Sequence, residues 1–436
     1  MTPLVIAIPL FILIALAAAG ATYYAIVLIR LENARRTLPT LRDGLKLADQ
    51  RASSLDGGCR DTPPGACPAR TAWPSVTLVV PAHNEQDVIE AHVRSVTSQQ
   101  YPGGFRAVFA LDRCTDRTES IVRAVIAELP ADQQDRFEIV IVRECPPDWA
   151  GKVHAIHRGV KDSRNAQHAD RLLFADADTI FDPSCIRAAV ALMDDRNVDM
   201  LSLLSTLTRD HWFEFIVQPA AGFELVRQFP LDVVNRADKP RPFANGQFML
   251  WKRTAYDSLG GHELVKNELL EDIALARWMM WKKTGLKWGV FMAAGLLTCR
   301  MYRTWDAFQR GWMRIYTEAA QRRPARLIQS ARRLLLTGVA LSCAGPIAFL
   351  AGIVTLILGD KPLGAWLLAT GLVATALTWL ALGRAYRAQR VPPLWIAAYP
   401  LGAFITSRLL HRAGRDLNQG RATQWAGREY AREARP

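Results

Sequence analysis

From residue 4 to residue 29 the chain reads LVIAIPLFILIALAAAGATYYAIVLI, without one charged side chain. A helix of that length rises far enough to cross a hydrocarbon core of roughly 30 Å. A cleaved leader is the rival explanation, but leaders open on basic residues and carry a shorter apolar run. Here the start, Met1-Thr2-Pro3, is uncharged, and Arg30, Arg35 and Arg36 follow the run. The expectation is an uncleaved anchor whose C-terminal end faces the cytoplasm by the positive-inside rule.

Two more apolar runs, residues 334–358 and 363–382, are separated only by Gly359-Asp360-Lys361-Pro362 and read as a helical hairpin. Arg326, Arg332 and Arg333 precede it, and Arg384, Arg387 and Arg390 follow. Both ends are therefore expected on the cytoplasmic side of a plasma (inner) membrane crossed several times. A fourth stretch, 392–410, is broken by Pro393 and Pro400 and has basic residues at both ends. It is expected to be re-entrant or interfacial.

The excess of Lys and Arg over Asp and Glu, 54 against 41, is compatible with nucleic acid or with a membrane face. A nucleic-acid binder would cluster basic and aromatic residues inside its soluble part; here the arginines crowd beside the apolar runs, and no nucleic-acid partner is expected. Seven cysteines (59, 67, 114, 145, 185, 299, 343) give an odd count and no zinc spacing, as expected of reduced thiols. Cys59 and Cys67 lie in a Gly/Pro/Arg-rich stretch, 49–73, read as linker.

Between about 74 and 300 apolar runs alternate with helical patterns. Val76-Thr77-Leu78-Val79-Val80 is a continuous β-branched run, as in a strand buried on both faces. Further strands are expected at 107–111, 138–142 and 172–175, with helices at 87–98 and 118–129 and another before the fourth strand. That alternation predicts an α/β domain with a mostly parallel sheet, helices on both faces and ligands beyond the carboxyl ends of the strands. No Gly-x-Gly-x-x-Gly follows a strand, and Gly151-Lys152 lacks the other residues of a P-loop, which disfavours dinucleotide enzymes and P-loop NTPases.

The polar residues at the strand ends carry the chemistry. Asp176-Ala177-Asp178 follows the fourth strand, and alternate residues of an extended segment face one way, so both carboxylates can meet one hard cation. The bland alternative, a cap for the next helix, is already supplied by Asp182-Pro183. Pro81-x-x-Asn84-Glu85 follows the first strand, Asp112-x-x-Thr115-Asp116-x-Thr118 the second, and Gly151-Lys152-x-x-Ala155-x-x-x-Gly159 the third. With these motifs the sequence resembles a family 2 glycosyltransferase, a GT-A-fold (Rossmann-like) nucleotide-sugar enzyme. The resemblance implies that Pro81, Asn84, Glu85 and Asp112 belong to the nucleoside end, Glu85 and Asp112 lying around uracil and ribose, with Lys152 near the nucleotide. It implies that Asp178 holds Mg²⁺ or Mn²⁺ on the diphosphate, with Asp176 beside it. The second motif reads Leu111-Asp112-Arg113-Cys114-Thr115-Asp116 rather than the commoner Asp-Asp-x-Ser-x-Asp, which leaves the part of Asp116 open.

Glu271-Asp272 opens a helix after Asn245-Gly246-Gln247 and Gly260-Gly261-His262-Glu263. Carboxylates in a first turn often only complement the helix dipole. The resemblance implies instead that Glu271-Asp272 is the catalytic pair, with Asp272 the general base, and puts His262 close to it. Gln309-Arg310-Gly311-Trp312 is similar to the Gln-x-x-Arg-Trp string of processive polysaccharide synthases, out of register. Gln309, Arg310 and Trp312 are thus either contacts to diphosphate or acceptor, or an amphipathic helix at a membrane surface. With Trp425-x-Gly427-Arg428-x-Tyr430 the chain resembles a bacterial branch associated with hopanoid and carotenoid lipid glycosylation. The resemblance implies a membrane-anchored, inverting, metal-dependent transferase passing sugar from a donor, UDP-linked by expectation, to a lipid acceptor. A processive synthase and a non-catalytic nucleotide-sugar-binding scaffold are the alternatives. The expected organisation is an anchor (1–30), a basic juxtamembrane segment and linker (31–73), the catalytic domain (74–300), interfacial helices (301–333), the hairpin (334–382) and an interfacial segment with a cytoplasmic tail (383–436).

Overall fold

The computed structural model describes residues 4–58, 73–236, 241–282, 284–425, 428–430 and 433–435. The chain forms two compact units. One comprises Leu38–Thr208 and Val233–Met301 and is built on a sheet; the other comprises Met1–Thr37, Arg209–Asp232 and Tyr302–Pro436 and is mainly helical.

In the sheet unit, β1 (Val76–Ala82), β2 (Phe105–Asp112), β3 (Phe137–Val142) and β4 (Arg171–Phe174) are parallel neighbours. Helices Ile89–Thr97, Thr118–Ala127 and Gly151–Asp162 connect them. Every residue of β1 is buried, which is why its sequence is continuously apolar rather than alternating. Then come β5 (Thr179–Phe181), β6 (Met200–Leu204), β7 (Thr206–Leu207), β8 (Met249–Lys252), β9 (Trp288–Met292) and β10 (Leu297–Cys299). The seven-stranded sheet has the order β3-β2-β1-β4-β8-β6-β9, with β8 antiparallel to both neighbours; β5-β10-β7 form a small second sheet. The spacing Gly151-x…Gly159 has a packing reason: a Cβ on Gly159 would lie 2.7 Å from Val79 Cγ1, so only glycine lets this helix approach β1 so closely.

The structure departs from the expected linker at 31–73. Helix Leu41–Gly58 belongs to the sheet unit and packs on helix Cys185–Asp195. Leu41, Gly44 and Ala48 are buried at helical spacing, and a Cβ on Gly44 would lie 2.3 Å from the Ala188 carbonyl oxygen. Its start is fixed by Asp43, whose carboxylate accepts from the Thr40 N–H (2.9 Å) and hydroxyl (2.8 Å). The Gly/Pro-rich part of the stretch, with Cys59 and Cys67, lies outside the described residues.

Among the described residues, the helical unit holds three helices long and apolar enough to cross a membrane: Ala7–Thr37, Pro324–Ile357 and Lys361–Ala388. The last two meet through small residues, since a Cβ on Gly371 would lie 2.3 Å from Phe349 N and one on Gly352 2.6 Å from Leu368 N. The segment 392–410, expected to be re-entrant or interfacial, is a short turn, Pro393–Ala398, followed by helix Tyr399–Asn418. That helix packs along Pro324–Leu334, with the Ser407 hydroxyl donating to the Ala331 carbonyl at 2.9 Å. The two prolines sit in first turns, where a missing N–H costs nothing. Charge divides unevenly: the helical unit carries 24 Lys and Arg against 11 Asp and Glu, the sheet unit 30 against 30. The whole excess of +13 belongs to the unit with the apolar helices.

Candidate active site

The carboxyl ends of β1 and β2 lie side by side, Ala82 opposite Leu111 in a parallel register. Pro81 is buried within β1 opposite Ala110. Beyond β1, Asn84 takes a left-handed backbone (φ 56°), and its side-chain oxygen accepts from the Thr115 N–H at 2.8 Å. The Glu85 N–H donates to the Thr118 hydroxyl at 2.8 Å. Asp116, whose part the sequence left open, is a structural cap: it accepts from the Thr118 N–H (3.0 Å) and hydroxyl (2.6 Å) and from the Gln86 N–H (3.1 Å). Asp112 is 3% exposed, and Arg113 forks it through Nε (2.8 Å) and Nη2 (2.7 Å). His83 Nδ1 lies 2.5 Å from the Asp112 carbonyl oxygen.

Lys152, in the first turn of its helix, joins one carboxylate of Asp176-Ala177-Asp178 to one of Glu271-Asp272. Its ammonium lies 2.7 Å from Asp176 and 2.6 Å from Glu271. Burial alone would push that ammonium down; Asp176, then Glu271 and Asp272, hold it well above its ordinary value. The same charge keeps Glu271 below the usual carboxylate range against the effect of its burial. β4 ends at Phe174 and Asp178 stands in a turn, so Asp176 and Asp178 do not share an extended strand as the i, i+2 pattern suggested. The turn is fixed by the Asp176 carbonyl, which accepts from the Thr179 hydroxyl at 2.6 Å, and by Arg300 N–H donating to the Asp178 carbonyl at 3.0 Å.

Burial and then the neighbouring Asp176 push Asp178 up to about 7. Burial, then Asp178 and Asp176, push Glu85 up to about 8. Negative charge thus accumulates here beyond what Lys152 offsets. Among the described residues no group of three or more His, Cys, Asp or Glu forms a complete metal cage. The hard oxygens of Asp176 and Asp178 fit a Mg²⁺- or Mn²⁺-type ion that completes its shell with phosphate oxygens and water.

Asp272 stands in the first turn of helix Glu271–Trp281 and is buried. One carboxylate oxygen accepts from the Gly246 N–H and the other from its neighbour Ile273 N–H, both at 2.7 Å. Burial, then the adjacent Glu271, raise it to about 6. A Cβ on Gly246 would lie 3.1 Å from Glu271 Oε1, 3.1 Å from Lys152 Nζ and 3.2 Å from Asp272 Oδ2, so the Asn245-Gly246-Gln247 motif brings bare backbone up to three charged groups.

His262 stands within electrostatic reach of Glu271, close to the pair as its motif suggested, and is fully buried against Phe174 with its Nδ1 2.9 Å from the Tyr256 hydroxyl. Gln309, Arg310 and Trp312 stand on helix Trp305–Ala319 in the helical unit. Trp312 is buried between Phe308 and Tyr316. Gln309 and Arg310 line a cavity of about 330 Å³ with Arg314, Arg412 and Asp416. The tail pairs Thr423–Trp425 with Arg428–Tyr430, and Gly427 of its motif lies outside the described residues. Three residues escaped the sequence reading: Arg113, His83, and Cys299, whose thiol donates to Asp178 Oδ1 at 3.4 Å.

Residues 74–331 match the family described as "Glycosyltransferase like family 2". Among curated proteins the chain is similar to the 4,4'-diaponeurosporenoate glycosyltransferase of Staphylococcus aureus (strain MRSA252), 23% identical over 364 residues, covering 82% of this chain and 88% of that protein. The same enzyme of strain USA300 is 22% identical over the same coverage. Among solved structures it is similar to the mannosyltransferase PcManGT of Pyrobaculum calidifontis in complex with GDP-Man and Mn²⁺, at 19% identity and TM-score 0.44, covering 92% of this chain and 99% of that one. It is also similar to the glucosyl-3-phosphoglycerate synthase of Mycobacterium tuberculosis with Mn²⁺ and UDP, at 17% identity and TM-score 0.38, covering 57% and 79%.

Proposed function

Because the chain belongs to glycosyltransferase family 2, we propose that it is an inverting, metal-dependent transferase that moves one sugar from a nucleoside-diphosphate donor, UDP-linked, to a membrane lipid acceptor at the cytoplasmic face. The reading rests above all on Asp272: a buried carboxylate aimed by two backbone N–H groups, with an affinity for protons near that of a base working at neutral pH. Asp272 takes the proton of the acceptor hydroxyl or carboxyl as that oxygen attacks the anomeric carbon, and a single displacement inverts the centre. Glu271 stays ionised beside Lys152 and keeps that ammonium in place. Asn84, Glu85 and the Asp112–Arg113 pair form the nucleoside end. Asp176 and Asp178 would hold the divalent cation, which when bound offsets charge on the departing diphosphate.

The lipid acceptor is supported by the three apolar helices of the same chain and by the relatives, which are named for a carotenoid acid. The arginines that flank the hairpin and follow the first helix support the cytoplasmic orientation. The decisive experiment is mass spectrometry of membrane lipids from cells with and without this protein. A lipid heavier by one sugar residue, made only when the protein is present and absent with Asp272→Asn, is the expected result. A long polymer, or no sugar-bearing product with any nucleotide sugar, overturns the reading.

A further inference from the structure

Asp112 ends β2 in the place where the family resemblance expects a carboxylate facing the nucleoside, yet its side chain is 4% exposed. What reaches solvent at this edge is Arg113, with 27% of its side chain exposed. Neighbours in a strand point to opposite faces, so an arginine cannot normally fork the carboxylate beside it. Here the strand stops: Arg113 takes a left-handed backbone (φ 47°) and turns back over Asp112.

The surrounding loop holds that turn. The Arg113 N–H donates to the Val142 carbonyl at 2.8 Å, the Thr115 N–H is taken by Asn84, and His83 Nδ1 lies against the Asp112 carbonyl. The carboxylate therefore has both oxygens engaged by a cation that the backbone directs onto it.

We propose that Arg113, not Asp112, is the residue that reads the donor's nucleoside, with Asp112 as the positioning residue that aims it. The difference is chemical. A carboxylate accepts only and would select hydroxyl or N–H groups of the nucleoside; a guanidinium donates only and selects carbonyl oxygens or ring nitrogens of the base. This rests on the reading of the sheet unit as a nucleotide-sugar site.

The test is calorimetric titration of the full-length, detergent-solubilised protein with UDP, GDP and ADP, and with inorganic pyrophosphate, all in Mn²⁺. Arg113→Ala should weaken the preferred nucleoside diphosphate at least tenfold and narrow the gap between it and the other two. Pyrophosphate affinity should stay within twofold. Asp112→Asn should change the same quantities in the same direction, less strongly, and Arg113→Lys should fall between wild type and Arg113→Ala. Unchanged or tighter nucleotide binding by Arg113→Ala would show that Arg113 merely covers Asp112, and overturns the proposal. Equal loss of nucleotide and pyrophosphate overturns it too, since a general collapse of the loop explains that. A wild type that binds nucleoside diphosphate but transfers no sugar defeats the functional reading and leaves Arg113 to be judged on the binding data. One that binds none defeats both.

Discussion

As the proposed base, Asp272 would set the acid limit of the reaction. In that role it would work ionised, and burial, then Glu271, push its carboxyl up to about 6. Turnover should therefore fall about tenfold for each pH unit below about 6 and level off above it, as read from kcat against pH. Asp272→Asn should lower kcat by about 10²- to 10⁴-fold while the donor dissociation constant, read by calorimetry, stays within about threefold. Lys152→Met should behave differently. Removing the ammonium takes the shared cation from both Glu271 and Asp176, and a buried pair broken from one side costs about 3–5 kcal/mol. That loss should appear as a lower thermal midpoint as well as weaker donor binding. Asp176 stood out in the sequence as one of two carboxylates beyond a strand of a parallel sheet, whereas Lys152, Glu271 and Asp272 were singled out by the family resemblance. Arg113 and Cys299 were not. The first depends on one left-handed residue, and the second comes from β10, 121 positions beyond Asp178 in sequence.

Among elements, β1 to β4 could be read from runs of apolar residues, and each lies within two residues of its expected bounds. The antiparallel β8 could not. Its four residues, Met249-Leu250-Trp251-Lys252, carry no periodicity that separates a buried strand from a buried helical turn. Helix Leu41–Gly58 was half hidden because its C-terminal end runs into a Gly/Pro-rich stretch whose composition suggests a linker throughout. Thr40-x-x-Asp43 was the available signal for its start. Its packing gives a sharp expectation: Gly44→Val should lower stability by about 1–3 kcal/mol or more, because the added carbons meet the Ala188 backbone. Thermal unfolding should register it, and an unchanged midpoint would mean that this helix does not rest on Cys185–Asp195.

For the whole chain, the charge division separates two kinds of sensitivity. The sheet unit is balanced, so its fold should respond little to bulk salt, whereas the helical unit carries the full +13 around its apolar helices. Juxtamembrane Lys and Arg gain about 1 kcal/mol each near anionic headgroups, an attraction that salt screens. Reconstituted protein should therefore melt several degrees higher in anionic than in zwitterionic bilayers, and the difference should shrink as salt is raised to about 0.5 M. Chelation should abolish sugar transfer while leaving that lipid dependence intact, because Asp176 and Asp178 belong to the sheet unit.

The helix that begins at Leu41 also decides where a recombinant fragment can be cut. The family match starts at residue 74, an inviting place to open a water-soluble piece. A fragment opened there would strip Leu41, Gly44 and Leu45 from the cluster that holds Ala188 and Leu192, presenting a greasy flank that invites clumping during expression. Beginning at Leu38 carries the native cover along.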